Sequence, residues 1–295
     1  MSSRCIQATL ALAAYAAVLA VAPAAGAGTA GPSVSLGKSH GLEYMRAKFT
    51  DVTTQVEQSA GCDGDGQVTG GGGSIDGPAA FARLRGSYPF SSPGTGWNVQ
   101  GTSIGADRTL AAFAVCGGID VDYEVTGLSS FPANSVVHGG ASCPIGADPI
   151  AGGARATAPV SEVTMIATFP LLPPSTAGWR TPLANPSPTE DTLYEGHAVC
   201  SSVYDVRYQY SDPKRLRSGE AANAVARCRA KQSVLGGGFF SVRADVTGYR
   251  SEALTTRPWD SKQDGNKTPD DGWLARAYNR ETFRVHLVAV AVCKR

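Results

Sequence analysis

The chain has 295 residues, and its 26 Lys and Arg against 25 Asp and Glu leave a formal charge of +1. That balance, with no basic stripe along any face, argues against nucleic acid as a partner. Its 35 glycines, beside few strong helix formers, point to many short strands joined by turns.

Residues 1–27 read as an export signal. Arg4 is followed by an uncharged apolar run from Ala8 to Ala22, then by Pro23 and small residues, with cleavage expected near Ala27. The run is short for a bilayer span, and no later stretch is long enough for one, so no membrane span is expected once the signal is removed. Cys5 leaves with the signal. Residues 28–41, rich in Gly and Ser, are expected to form a flexible mature N-terminus.

From residue 42 onward one pattern occurs three times, in units expected at 42–116, 121–200 and 205–293. Each unit opens on an alternating aromatic run: Tyr44-Met45-Arg46-Ala47-Lys48-Phe49, Val121-Asp122-Tyr123-Glu124-Val125 or Val206-Arg207-Tyr208-Gln209-Tyr210. A lone cysteine follows (Cys62, Cys143, Cys228), then a glycine run: Gly70-Gly71-Gly72, Ala151-Gly152-Gly153 or Gly236-Gly237-Gly238. Next come Gly96-Trp97, Gly178-Trp179 and Gly272-Trp273, and each unit closes on a second cysteine, Cys116, Cys200 or Cys293.

About five strands per unit are expected: the Tyr run, the lead into the glycines, the stretch ending at Pro89, Pro170 or Pro258, the Trp strand, and the strand ending at the second cysteine. This last strand is apolar on both faces in the first and third units, so it is expected to be central. A threefold glycine run inside a strand marks a backbone requirement, such as a bulge or a close strand approach. As a phosphate cradle it lacks the Lys-Ser/Thr and the following helix.

An even set of six cysteines in an exported chain reads as disulfides. The repeat favours the pairs Cys62–Cys116, Cys143–Cys200 and Cys228–Cys293. No cofactor or metal is expected. Cys-x-x-Cys is absent, Asp63-Gly64-Asp65-Gly66 lacks the further ligands of a calcium loop, and the histidines share no metal-site spacing. Gly101-Thr102-Ser103-Ile104-Gly105 matches a nucleophile elbow, which makes a serine esterase using Ser103 one reading. However, the segment after it aligns with a strand in the third unit, and the His138-Gly139-Gly140 oxyanion-type segment lies on the wrong side of the serine. His197 falls in the same column as Phe113 and Val290 and is expected to be packed.

The tryptophans divide into two sets. Trp97, Trp179 and Trp273 repeat in register and are expected in the core, beside the small residues of the closing strand. Trp259 stands outside that register at the start of a long polar loop. An indole face beside hydrogen-bonding side chains is suited to stacking on a sugar ring. The expected ligand set is Trp259 with Asp260, Lys262, Gln263, Asp264 and Asn266.

The frame Cys-x5-[Val/Pro]-x-[Gly/Ala]-Gly-Gly, then Trp, then Ala-Val-Cys resembles repeats in exported proteins of high-GC Gram-positive bacteria. The excess of Arg over Lys and the Ala/Gly-rich signal fit that source. Three cysteine-bounded β units also resemble the vitelline membrane outer layer protein family, which implies a three-sheet β-prism. The expected fold is therefore all-β, three homologous disulfide-linked modules in a pseudo-threefold, β-prism-like arrangement, with a linear array of three small domains as the alternative. The expected function is that of a secreted, non-enzymatic binding or surface-associated protein with a glycan or cell-envelope polymer as partner. A structural or protein-binding secreted factor is the other non-enzymatic reading.

Overall fold

The alternating runs and glycine segments form strands throughout, and no helix occurs among the described residues. The structure is a computed structural model, and it describes residues 31–50, 52, 55–90, 94–103, 108–117, 120–157, 162–174, 176–242, 251–261 and 266–295. The expected signal segment 1–27 lies outside the described residues.

The first unit carries β2 (Leu42–Phe49), β3 (Gln55–Gly61), β4 (Gln67–Ile75), β5 (Ala82–Pro89), β6 (Gly96–Ser103) and β7 (Leu110–Gly117), preceded by β1 (Val34–Ser39). The second carries β8 (Asp122–Val125), β9 (Ser129–Phe131), β10 (Ser135–Ser142), β11 (Asp148–Ala156), β12 (Thr164–Met165), β13 (Phe169–Leu171), β14 (Gly178–Asn185) and β15 (Thr192–Ser201). The third carries β16 (Val206–Tyr210), β17 (Lys214–Leu216), β18 (Ala221–Arg227), β19 (Ser233–Val242), β20 (Ser251–Trp259), β21 (Gly272–Asn279) and β22 (Val285–Lys294).

Two expectations are corrected here. Val34–Ser39, placed in the flexible N-terminus, is an edge strand on β2. The two-residue turn His40-Gly41 has positive φ at both positions (49° and 79°), the primed hairpin geometry that matches strand twist. The count of five strands also missed the one before each first cysteine (β3, β10, β18). These strands alternate, but their inward residues are mostly small or polar, so their hydrophobic signal is weak.

No unit keeps its strands in one sheet. One sheet runs β1-β2-β7-β4-β20-β21-β18, joining half of the first unit to half of the third. A second runs β3-β6-β5-β11-β15-β8, joining the first to the second. The remaining strands of the second unit meet those of the third at the bridge Thr168↔Phe239. The seam positions are equivalent: Thr256↔Gly73, Ser87↔Ala154 and Thr168↔Phe239. The order is cyclic, as a pseudo-threefold arrangement requires. It is incompatible with a linear array, because the first and third units share a sheet.

The glycine runs make this closure feasible. Each run sits at a register shift, between Val68 and Gly70, Pro149 and Ala151, and Val234 and Gly236. The middle glycine seats a tryptophan: a Cβ at Gly71, Gly152 or Gly237 would overlap the ring of Trp97, Trp179 or Trp273. The third glycine lies at the seam, where a Cβ at Gly72, Gly153 or Gly238 would overlap the carbonyl oxygen of Thr256, Ser87 or Thr168.

The three tryptophans are at most 1 % exposed. Each indole N–H donates to the seam hydroxyl of its own unit: Trp97 to Ser87 Oγ (2.7 Å), Trp179 to Thr168 Oγ1 (2.7 Å) and Trp273 to Thr256 Oγ1 (2.8 Å). One Ser or Thr thus bridges two units through its backbone and satisfies a buried donor through its side chain.

The opening tyrosines lace the units in the same cyclic sense. Tyr44 donates to Val234 O (3.0 Å), Tyr123 to Val68 O (2.7 Å) and Tyr208 to Pro149 O (3.2 Å). Burial raises all three phenols well above the ordinary tyrosine range, so they stay donors. The disulfides pair as expected: Cys62–Cys116, Cys143–Cys200 and Cys228–Cys293. Each joins the end of a strand in one sheet to the closing strand of another. The closing strands β7, β15 and β22 are central; for β7 and β22 this follows the expectation from their two apolar faces.

Candidate functional site

Three strand pairs present equivalent outer faces, and side-chain chemistry distinguishes them. On β7 the residues alternate, Ala112 and Ala114 turning inward and Ala111 and Phe113 outward. Register then aligns Arg46 of β2, Phe113 of β7 and Gly72 of β4 in one row, and Lys48, Ala111 and Ser74 in the next. Across the seam, Thr255 pairs with Ser74, so Arg257 and Trp259 follow on the same face.

Apart from Gly72 and Thr255, these outward residues line a groove of about 490 Å³, whose rim includes Leu36, Asp76, Asp260, Lys267 and Pro269. Within it the Arg257 guanidinium reaches over the Phe113 ring at 5.3 Å. Trp259 is half-buried and lies outside the core cluster. Register sets Arg227, Gly272 and Trp259 side by side, and across that glycine the Arg227 guanidinium covers the indole at 5.1 Å.

The groove holds more cations than acids, with Asp76 and Asp260 also on its lining. Among the described residues Arg46, Lys48, Arg257 and Lys267 form no ion pair, and Arg46 Nε is buried without a hydrogen-bond partner. Among the described residues the Arg257 guanidinium donates to the carbonyl of Pro258 (3.1 Å). Its pKa is lowered, first by burial and then by Arg46, while Asp76 acts in the opposite sense.

The equivalent positions of the other faces are filled and paired. On the second face Tyr88 replaces Arg257, His197 replaces Phe113, Arg155 replaces Ser74 and Glu195 replaces Ala111. Arg155 Nε donates to Glu195 Oε2 (2.7 Å), and Tyr88 stacks on His197 at 5.3 Å. Burial pushes the His197 imidazole down to about 4, so it is neutral and packed, as its column predicted. On the third face Phe169, Phe240 and Tyr210 form an aromatic cluster.

The predicted ligand set is divided by the structure. Trp259 and Asp260 line the groove. Asn266 is exposed beside it and is not on its wall, with Oδ1 accepting from the Thr268 N–H (2.6 Å). Lys262, Gln263 and Asp264 lie outside the described residues. Arg46, Lys48, Phe113 and Arg257 were missed, although Arg46 and Lys48 sit on one face of an alternating run.

Ser103 ends β6, 3 % exposed, with its hydroxyl unpartnered. It therefore has no base within hydrogen-bond reach among the described residues, which an activated serine requires. No group of three or more His, Cys, Asp or Glu suited to a metal ion occurs among the described residues. Comparison with protein-family models finds no match, and comparison with curated proteins finds none.

Proposed function

We propose that the chain is an exported, non-enzymatic binding protein, and that a glycan or cell-envelope polymer docks in the groove beside Trp259. The carrying observation is the contrast among the three faces: one scaffold position is filled by paired or apolar side chains twice and left as a groove once. A tryptophan at the groove wall offers an apolar plane for sugar carbons, and polar groups stand around it.

Export is supported by three disulfides, which suit an oxidising compartment, and by the signal-like first residues. No helix among the described residues is long and apolar enough to cross a membrane.

A glycan array probed with the mature chain tests the proposal. Trp259→Ala should abolish binding to the glycans found while lowering stability by no more than about 1 kcal/mol, the scale of one cation–π contact at a half-buried ring. Glycan binding left intact in Trp259→Ala would place the ligand elsewhere. An array with no hits would favour the structural or protein-binding reading.

A further inference from the structure

We infer that the groove selects an acidic glycan, clamping a carboxylate, sulfate or phosphate group between Arg46 and Arg257 while the adjoining sugar ring rests against Trp259. This rests on the groove being the binding site and adds the charge class of the ligand.

Arg46 stands in register with Phe113 and the Arg257 guanidinium lies over that ring, so the two cations are neighbours; burial first, then the charge of Arg46, lowers the Arg257 pKa, while Asp76 acts in the opposite sense. Three arginines elsewhere meet carboxylates: Arg155 meets Glu195, and Arg83 and Arg280 both meet Glu252. Among the described residues Arg46 and Arg257 form no ion pair. The buried Arg46 Nε has no acceptor, although a guanidinium fork matches the oxygens of an anionic group.

Lys48 and Lys267 add two further cations along the same wall, spacing positive charge along the groove as a polymer with repeated acidic groups would need. Two carboxylates also face it. Asp260 already has a partner, and Asp76 stands beside Arg257. The four cations therefore outnumber the acids. Phe113, under the Arg257 guanidinium, fixes its direction at low entropic cost. The near-neutral charge of the whole chain makes this a local feature rather than a general basic surface.

The experiment is calorimetric titration of the mature chain with polygalacturonate, its fully methyl-esterified neutral form, dextran sulfate and poly(glycerol phosphate), with a dT20 oligonucleotide as a further arm. An acidic polysaccharide should bind, the neutral ester should bind at least about tenfold more weakly, and affinity should fall with added salt. Arg46→Gln and Arg257→Gln should each lower affinity by about tenfold or more. The same charge loss at the exposed pair Arg215→Gln/Arg217→Gln should leave it within about twofold. Thermal melts establish that each variant is folded.

Equal binding of the acidic polymer and its neutral ester, with loss in Trp259→Ala, would overturn the anion inference and leave the groove as the site. Equal loss in the Arg215/Arg217 variant would reduce the attraction to non-specific charge and overturn it too. Binding of dT20 as tight as that of the best polysaccharide would reject the glycan class. Binding by none of the polymers, or binding untouched by all three groove variants, would overturn the inference and the groove together.

Discussion

Replacing Gly153 by alanine tests the closure on which everything else depends. The new Cβ would fall on the carbonyl oxygen of Ser87, a backbone atom held by the seam bridge Ser87↔Ala154. No rotamer relieves this overlap, so β11 and β5 must move apart by roughly 1.5 Å to restore contact distance. Overpacking of this kind costs about 1–3 kcal/mol. Opening the seam also weakens about one or two backbone hydrogen bonds of roughly 1 kcal/mol each.

Moving Ser87 in turn loosens the hydroxyl that accepts the buried Trp97 N–H. The sum is about 2–5 kcal/mol, or roughly 10 °C in melting temperature for a chain of this size. Thermal and urea unfolding followed by circular dichroism would measure it. Gly127→Ala is the control, because a Cβ there meets nothing within 4 Å. It should leave stability unchanged or slightly higher. A loss below about 1 kcal/mol for Gly153→Ala would mean that the units do not meet along this seam.

The remaining expectations can be checked on the same protein. Trp179→Ala should cost about 3–5 kcal/mol in denaturant melts, since the ring is 1 % exposed and Thr168 Oγ1 loses its donor. Thr256→Val should cost about 1–3 kcal/mol by orphaning the Trp273 N–H, and Thr256→Ser should restore most of it. Peptide mapping of unreduced protein should return only the three intra-unit disulfides, and removing any one pair should cost about 2–5 kcal/mol.

His197 contributes a pH dependence of definite sign. Burial holds its folded pKa at about 4, below the ordinary 6.5, so the unfolded chain takes up the proton first. Its contribution is complete above about pH 6.5 and is lost as pH falls from there through about 4. Unfolding free energy measured from pH 4 to 7 should therefore fall less steeply in His197→Phe than in the parent chain. An identical slope in the two would reject the buried neutral imidazole.

Much of this molecule was legible in the residues alone. A repeat recurring three times gave the strand class, the cysteine pairs, the central closing strands and the buried tryptophans, because each reflects a local constraint of alternation, small volume or loop closure. The motif of a Ser or Thr two residues before Pro89, Pro170 and Pro258 was also present, but its role appears only where the Trp N–H and the seam meet it. The pairing of units could not be read, since a glycine run announces a close approach without naming the strand that approaches. That partner came from another unit in every case. The groove was hidden for the same reason. Trp259 drew attention by breaking the register, but its neighbours Arg46, Lys48 and Phe113 lie 146 to 213 residues away on strands of the first unit. Only the seam between β4 and β20 brings their faces together.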